Sequence, residues 1–276
     1  MTDTIGSGAA PLANGMPMLG LGTWQNTNPD ECRTAVREAL EMGYRHIDTA
    51  QAYDNETEVG EGIAAADVPR DDVFLATKVW TANLAYDDVL ATTRASLDRL
   101  GVDSLDLLYV HWPTNAYDAE ETLAAFDELY DEGTIDRVGV SNFEPRHLDE
   151  AVDLLDAPVF ANQVELHPLL PQETVREACA DHDVEVVAYS PLARGKVFDV
   201  PLLQELADAY DTSAAGVSLA WLRAKGVTAI PKATSTDHIR DNWESLAVDL
   251  DDEDVARIDA MEETDRRVDP DWAPWH

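Results

Sequence analysis

Short apolar runs recur along the whole chain and are separated by longer segments of mixed polarity. A continuous apolar run of a few residues is typical of a parallel strand that is buried on both faces. The pattern therefore predicts eight strands, near Leu19–Gly22, Tyr44–Asp48, Val73–Lys78, Leu105–His111, Ile135–Ser141, Val159–Val164, Val184–Tyr189 and Val227–Ile230.

Between these runs the apolar positions follow the spacing of an amphipathic helix, with one apolar face and one polar face. Helices are therefore expected to alternate with the strands. They are predicted at Pro29–Met42, Glu56–Ala66, Tyr86–Leu100, Ala119–Glu132, Pro145–Leu155, Pro171–Asp181, Ser213–Lys225 and Thr236–Leu246.

Eight alternating strand–helix units in 276 residues predict an α/β protein of the closed (β/α)8 barrel type, with its site at the carboxyl ends of the strands. The pair Asn14-Gly15 within Leu12–Met18 indicates a β-hairpin before the barrel. Two helical stretches outside the repeat, Val200–Tyr210 and Asp252–Met261, are expected to pack on its exterior. No linker or low-complexity segment divides residues 1–276, so one domain is predicted.

An open, doubly wound sheet is the structural rival. Such a fold would place a glycine-rich phosphate-binding turn directly after its first strand. The segment from Gly20 to Trp24 lacks the third glycine and the helix start of that fingerprint. The barrel is therefore favoured.

The chain carries 55 acidic and 19 basic residues, a formal net charge of −36. Acidic residues are spread along the chain while the apolar periodicity persists, which argues against disorder. Such a balance also argues against nucleic acid as a partner, because phosphate binding needs a basic surface. The interpretation is a solvated acidic surface of the halophilic type, which molar salt would screen.

The chain has no long apolar run and no basic, apolar leader at residues 1–10, so a cytoplasmic protein that does not bind a membrane is expected. Cys32 and Cys179 are predicted to be buried thiols, although a disulfide stays open as an alternative. Only four lysines occur, Lys78, Lys196, Lys225 and Lys232. In so acidic a chain, lysines that lie within motifs are candidates for a role in catalysis or cofactor binding.

Four residues with acid–base chemistry follow the predicted strand ends. Asp48 closes the second strand and Tyr53 comes five residues later, while Lys78 and His111 end the third and fourth strands. Carbonyl reduction needs a proton for the oxygen, and a tyrosine with a pKa of about 10 needs help to supply it. We expect Lys78 to lower the pKa of Tyr53, Asp48 to keep Lys78 charged, and a neutral His111 to polarise the carbonyl.

In the segment Gly43–Gly60, in Phe74–Lys78 and in Leu107–Pro113, the sequence resembles the aldo-keto reductase family. The tail from Pro270 to Trp275 resembles that of the prokaryotic branch of the family, which includes diketogluconate and glyoxal reductases. The resemblance implies NAD(P)H-dependent reduction of aldehydes and ketones, with Asp48, Tyr53, Lys78 and His111 as the catalytic residues.

The resemblance also implies a nicotinamide site. Ser141, Asn142 and Gln163 match the side chains that hold the carboxamide, Tyr189 matches the aromatic platform under the ring, and the loop Ser190–Lys196 would cover the pyrophosphate. Cofactor binding is therefore expected at Gly22, Thr23, Ser141, Asn142, Gln163, Tyr189, Ser190, Leu192, Lys196, Lys232, Thr234, Ser235, His238 and Asn242, with Arg194 as an alternative cation to Lys196.

The segment from Ile230 to Asn242 resembles the adenosine-phosphate motif of the family but departs from it at two positions. Ala233 stands where a serine is usual, and His238 stands where an arginine is usual. The loss of a permanent cation weakens the prediction that the site binds the 2′-phosphate of NADPH. Lys232, Thr234, Ser235 and Arg240 could compensate, so NADPH is favoured and NADH stays an alternative.

Trp24, Trp80 and Trp112 follow strand ends and predict an aromatic substrate pocket. The short stretch Trp112–Asp118 predicts an open pocket suited to small aldehydes, dicarbonyls or keto sugars. The resemblance suggests a monomer. Two alternatives stay open: a nicotinamide-binding redox sensor with vestigial turnover, and a metal-dependent barrel hydrolase, for which the usual His-x-His ligand pair is missing.

Overall fold

A computed structural model describes residues 9–276 of the chain. Eight parallel strands form one sheet in which each strand pairs with the next strand along the chain. They are β3 (Leu21–Gly22), β4 (His46–Asp48), β5 (Phe74–Val79), β6 (Leu107–Val110), β7 (Val138–Ser141), β8 (Val159–Glu165), β9 (Glu185–Tyr189) and β10 (Thr228–Ala229).

The sheet closes on itself between its first and last strands. Gly20 N–H donates to the carbonyl of Ala229 over 2.9 Å, and Gly22 N–H donates to that of Pro231 over 3.1 Å. A side chain at Gly22 would meet the Ile230 carbonyl oxygen at 2.6 Å, so this seam requires glycine. The predicted barrel is confirmed.

Helices follow the strands and pack around them, in the alternation that the sequence predicts. Residues 9–276 contain ten α-helices, which are α1 (Pro29–Met42), α2 (Glu56–Ala65), α3 (Tyr86–Leu100), α4 (Ala119–Asp131), α5 (Pro145–Leu154), α6 (Glu173–Asp181), α7 (Pro201–Ala209), α8 (Ala214–Ala224), α9 (Thr236–Glu244) and α10 (Asp252–Asp259). Of these, α7 and α10 are the two helices outside the repeat, and both contact α8.

The amino-terminal hairpin, β1 (Leu12–Ala13) and β2 (Met16–Pro17), is antiparallel as predicted. It lies at the end of the barrel opposite the carboxyl ends of the strands, where the carbonyl of Pro17 lies 3.1 Å from Nδ1 of the buried His46. Met16 is fully buried and belongs to the cluster of side chains that fills the barrel. The hairpin therefore does not occupy the end of the barrel where the carboxyl ends of the strands lie, and a site can form there.

The core has two parts. A small cluster fills the barrel interior around Met16, Phe74 and Tyr109, and a large one lies between the sheet and the helices. Gly139 is required in the interior because a side chain there would meet the Tyr109 ring at 2.5 Å. Cys32 and Cys179 are free, buried thiols, as expected.

Within residues 9–276, no helix combines the length and the apolar character needed to span a bilayer.

Candidate active site

A cavity with a volume of about 1050 Å³ opens at the carboxyl ends of the strands and receives residues from loops around the barrel. All four residues of the predicted catalytic set are in or beneath it. Its lining residues include Gly22, Trp24, Asp48, Tyr53, Trp80, His111, Trp112, Ser141, Asn142, Gln163, Tyr189, Ser190, Leu192, Lys232 and His238.

Asp48 and Lys78 form a buried ion pair on the cavity floor. Their side chains are 2% and 1% exposed, and the Lys78 ammonium donates to Asp48 Oδ1. The same ammonium donates to the Thr49 carbonyl over 2.9 Å, while Gln163 Nε2 donates to Asp48 Oδ2 over 2.8 Å. Burial lowers the pKa of Lys78, and the Asp48 carboxylate opposes that effect. A buried pair of this kind is stable only because its remaining polar atoms are also bonded.

Tyr53 is placed by a single 3-10 turn, Gln51–Tyr53, that the sequence pattern does not predict. The turn ends at Asp54, which has φ 53°. The Lys78 ammonium lies 5.3 Å from the centre of the Tyr53 ring. The turn therefore brings the phenol, the ammonium and the carboxylate into one cluster.

The pKa of Tyr53 differs from the expectation. Burial raises it well above the usual value of about 10, and the Asp48 carboxylate raises it further. The sequence analysis expects Lys78 to lower this pKa, but the net shift is upward because desolvation of the buried phenol is the largest effect. As a result the phenol stays protonated at neutral pH and is available as a proton donor.

His111 stands between two aromatic rings at the same end of the cavity. Its ring centre lies 5.9 Å from that of Tyr53 and 5.3 Å from that of Trp80. Burial and the nearby Lys78 ammonium lower the pKa of His111 well below its usual value of about 6.5. The imidazole is therefore neutral at pH 7, as the sequence analysis expects.

A network of hydrogen bonds connects this set to the ends of β7, β8 and β9. Tyr189 OH donates to Asn142 Oδ1 over 2.8 Å, and Asn142 Nδ2 donates to the His111 carbonyl over 3.1 Å. Ser141 Oγ donates to the Gln163 carbonyl over 2.8 Å. Asn142 adopts φ 62°, which asparagine tolerates better than most residues. We refer to this network, with Asp48, Tyr53, Lys78 and His111, as the catalytic end.

The loop after β9 passes along the cavity. Ser190, Pro191, Leu192, Arg194, Gly195 and Phe198 all line the cavity. The guanidinium of Arg194 lies 4.6 Å from the centre of the Trp24 ring, on the loop after β3. Arg194, rather than Lys196, is the cation that faces the cavity, since Lys196 does not line it and lies 3.9 Å from Asp199.

On the segment after β10, Lys232 and His238 are exposed and also line the cavity. We call this pair, with the neighbouring segment 233–242, the Lys232 end. Within residues 9–276, Lys232 is the one lysine with no carboxylate oxygen within 4.0 Å. An unpaired ammonium that faces a cavity in so acidic a protein favours an anionic ligand.

Several predicted cofactor residues do not line the cavity. Thr23 is buried and its hydroxyl donates to the Asp48 carbonyl over 3.0 Å. Ser235 caps α9 by accepting the His238 N–H. Thr234 and Asn242 are not in the wall, and Arg240 lies 3.8 Å from Asp237 instead of facing the cavity.

Other lining residues were not singled out in the sequence. Gln51 accepts hydrogen bonds from Trp80 N–H and Asn83 Nδ2, each over 3.0 Å. Its position between Asp48 and Tyr53 was the available signal. Val268 also lines the cavity, but no pattern in the sequence connects it with the strand ends.

The residues present fit a nicotinamide dinucleotide. Gln163 lines the cavity and donates its Nε2 to Asp48, and its amide also carries an oxygen of the kind that accepts an amide N–H. The Tyr189 ring and the Arg194 and Lys232 cations line the same cavity. When bound, such a cofactor would supply the hydride for carbonyl reduction. In the same range, no three His, Cys, Asp or Glu side chains are grouped to hold a metal ion.

Comparison with known proteins gives the class. The model of the Aldo/keto reductase family matches residues 11–263, and the chain belongs to that family. The glyoxal reductase of Bacillus subtilis is 38% identical over 262 residues, covering 94% of each chain.

Solved structures agree with this class. A crystal structure assigned to a 2,5-diketo-D-gluconic acid reductase B is 35% identical, with a TM-score of 0.91 over 97% of this chain and 96% of that chain. The Bombyx mori aldo-keto reductase in complex with NADP is 33% identical, with a TM-score of 0.88 over 95% of each chain. The chain is thus an oxidoreductase of the aldo-keto reductase class with the expected barrel.

Proposed function

We propose that this protein reduces small aldehydes, dicarbonyls or keto sugars to alcohols, with NADPH favoured over NADH. The observation that carries the proposal is the cluster of Tyr53 and His111 beside the buried Asp48–Lys78 pair on the floor of a large cavity. The relatives named for glyoxal and diketogluconate reduction support the substrate class.

In this mechanism the neutral His111 donates a hydrogen bond to the carbonyl oxygen and orients it. Tyr53 then delivers the proton to the same oxygen as negative charge develops there. Lys78 stabilises the phenolate that forms, and Asp48 holds Lys78 charged and in place. The raised pKa of Tyr53 ensures that the proton is present at neutral pH before the reaction begins.

Trp24, Trp80 and Trp112 give the cavity its aromatic wall. The stretch after His111 is short, so the wall leaves room for substrates of several shapes. Preference for NADPH would depend on Lys232, since Ser235 is used as a helix cap and Arg240 faces Asp237. The cytoplasmic location and the monomeric state stay predictions.

The test is oxidation of NADPH and of NADH in molar potassium chloride, with methylglyoxal, an aromatic aldehyde and a keto sugar. Tyr53→Phe should lower kcat by about 10²–10⁴-fold, because it removes a positioned general acid. Its affinity for NADPH should stay near that of the wild type, measured by quenching of tryptophan fluorescence.

Full activity in Tyr53→Phe would contradict the assigned acid. If the wild type binds NADPH but reduces none of the carbonyls at any salt concentration, the redox-sensor alternative replaces the reductase proposal.

A further inference from the structure

The carboxyl-terminal segment returns from α10 to the cavity and becomes part of its wall. Val268 lines the cavity directly. Farther along, the rings of Trp272 and Trp275 pack on Trp112, with centroid distances of 5.0 Å and 5.6 Å. Trp112 lines the cavity next to His111 and is only 6% exposed. The position of this wall therefore depends on where the segment is held.

One buried carboxylate holds the segment. Glu165, at the end of β8, has a side chain with no exposed surface. Its Oε1 accepts the N–H of Arg267 over 2.7 Å, and its Oε2 accepts the N–H of Val268 over 2.8 Å. A second link lies nearby, where Asp265 N–H donates to the Leu169 carbonyl over 2.9 Å.

The charge of Glu165 has few other partners. His167 Nε2 lies 3.1 Å from Oε1, and among residues 9–276 no Lys or Arg nitrogen lies within 4.0 Å of the carboxylate. Hydrogen bonds from N–H groups to a buried carboxylate are stronger than neutral ones, and leaving the partners unpaired is costly. Asp265 is attached to the backbone of Leu169, whereas the attachment of Arg267 and Val268 is concentrated on the Glu165 side chain.

We propose that Glu165 is a positioning residue that fixes the carboxyl-terminal segment and thereby sets the Val268 and Trp112 wall of the carbonyl pocket. The inference rests on the proposed carbonyl reduction. An aromatic aldehyde buries surface against this wall, whereas methylglyoxal buries little. Glu165 should therefore control KM for aromatic aldehydes more than KM for methylglyoxal.

The chain offers a matched control. Asp127 on α4 also accepts two successive backbone N–H groups, those of Asp156 and Ala157, over 3.0 Å and 2.9 Å. It does not line the cavity. Asp127→Asn and Glu165→Gln thus make the same chemical change at two carboxylates that each accept two successive backbone N–H groups. Only Glu165 holds the carboxyl-terminal segment, and Asp127 is the more exposed of the two.

The first measurement does not need turnover. Carboxypeptidase digestion followed by mass spectrometry reports how fast the carboxyl terminus is released. Glu165→Gln and Glu165→Ala should speed release by roughly tenfold or more, because each loses bonds to a charged acceptor. Asp127→Asn should digest like the wild type. Release at the wild-type rate in both Glu165 variants would overturn the proposal, even if the protein proves not to be a reductase.

The second measurement uses steady-state kinetics in molar potassium chloride. Both Glu165 variants should raise KM for an aromatic aldehyde about tenfold, change KM for methylglyoxal by less than about threefold, and leave the Kd for NADPH unchanged. In a variant that already carries Trp272→Ala and Trp275→Ala, Glu165→Ala should raise KM for the aromatic aldehyde by a much smaller factor. The tryptophan substitutions and the Glu165 substitution act through the same segment, so their effects should not multiply. The proposal would be overturned if the increases in KM from the Glu165 and tryptophan substitutions multiply fully. It would also be overturned if KM rises equally for the aromatic aldehyde and for methylglyoxal.

Discussion

At the catalytic end of the cavity, Asp48, Lys78, Gln163 and Asn142 are buried and bonded to one another or to the backbone. At the Lys232 end, Lys232 and His238 are exposed, and no hydrogen bond of either side chain to another residue of the described chain is present. The two ends belong to one cavity, but they differ in how their geometry is maintained.

The difference indicates what each end can tolerate. A catalytic group must be held in place before the substrate arrives, because its contribution falls steeply with misplacement. The exposed Lys232 ammonium needs only a ligand with phosphate groups to become ordered. Substitutions at the catalytic end should therefore cost turnover and stability together, while those at the Lys232 end should change cofactor affinity alone.

The largest expected effect is that of Lys78→Met at the catalytic end. Removal of the ammonium leaves Asp48 buried without its partner, which typically costs about 3–5 kcal/mol. The uncompensated carboxylate would also raise the pKa of Tyr53 further and disfavour phenolate. We expect kcat to fall by at least about 10³-fold, measured with methylglyoxal, and a lower urea midpoint.

The control is Asp48→Asn combined with Lys78→Met, which leaves no unpaired charge. This double variant should regain much of the lost stability while kcat stays low. If the single variant unfolds at the same urea concentration as the wild type, the interpretation of an interlocked catalytic end is wrong.

The dependence of thermal stability on salt tests the whole fold, and both ends of the cavity depend on that fold. Between molar and about 0.1 M potassium chloride, the Debye length grows from about 3 to about 10 Å, so the net charge of −36 repels itself more strongly. Tm should fall on dilution; a loss of about 3 kcal/mol corresponds to roughly 6–12 °C. Calorimetry at several salt concentrations measures this, and a Tm independent of salt would contradict the halophilic interpretation.

His111 allows a test at the catalytic end that does not depend on turnover. Its pKa is lowered by burial and by Lys78. The imidazole should therefore stay neutral as pH falls through 6.5 and become protonated only well below it. In Lys78→Met the pKa should rise, because one of the two causes is removed, yet remain below that of a solvent-exposed histidine.

Nitrogen chemical shifts of the imidazole, followed by NMR from pH 8 to pH 5, report this directly. His238, at the exposed Lys232 end, supplies the comparison within the same spectra. Titration of His111 near 6.5 in the wild type would show that the catalytic end is more hydrated than its burial indicates.

The sequence predicts the catalytic end better than the Lys232 end for a physical reason. Asp48, Lys78 and His111 lie at or next to the carboxyl ends of buried strands, and the barrel topology alone brings such ends together. Side chains on loops have no such constraint. Ser235 caps α9, and Lys196 lies near Asp199. Both contacts depend on the local backbone geometry of the loops.

The direction of the shift in the Tyr53 pKa and the position of Val268 also could not be predicted from the sequence. Burial of Tyr53 depends on the closed cavity as a whole, so the motif alone points to the effect of Lys78 and misses the larger effect of desolvation. Val268 reaches the cavity through hydrogen bonds to Glu165, more than a hundred residues earlier in the chain. No local pattern encodes a contact over that separation.

The smallest expected effect lies at the Lys232 end. His238 lines the cavity near Lys232, at the position where the family resemblance leads one to expect an arginine. His238→Arg would add a permanent cation that can bind a phosphate through two N–H groups. Affinity for NADPH should rise by about tenfold, equivalent to ~1.4 kcal/mol, and affinity for NADH should change by less than about twofold.

Binding of each cofactor to His238→Arg and to His238→Gln, measured by fluorescence quenching at constant salt, separates charge from shape. The glutamine variant should bind both cofactors about as the wild type does. kcat for methylglyoxal should be unchanged in both variants, because this end does not hold the reacting groups. An equal gain for NADH and NADPH would place His238 away from the 2′-phosphate, and a loss of kcat would show that the two ends are coupled more closely than their separate hydrogen-bond networks indicate.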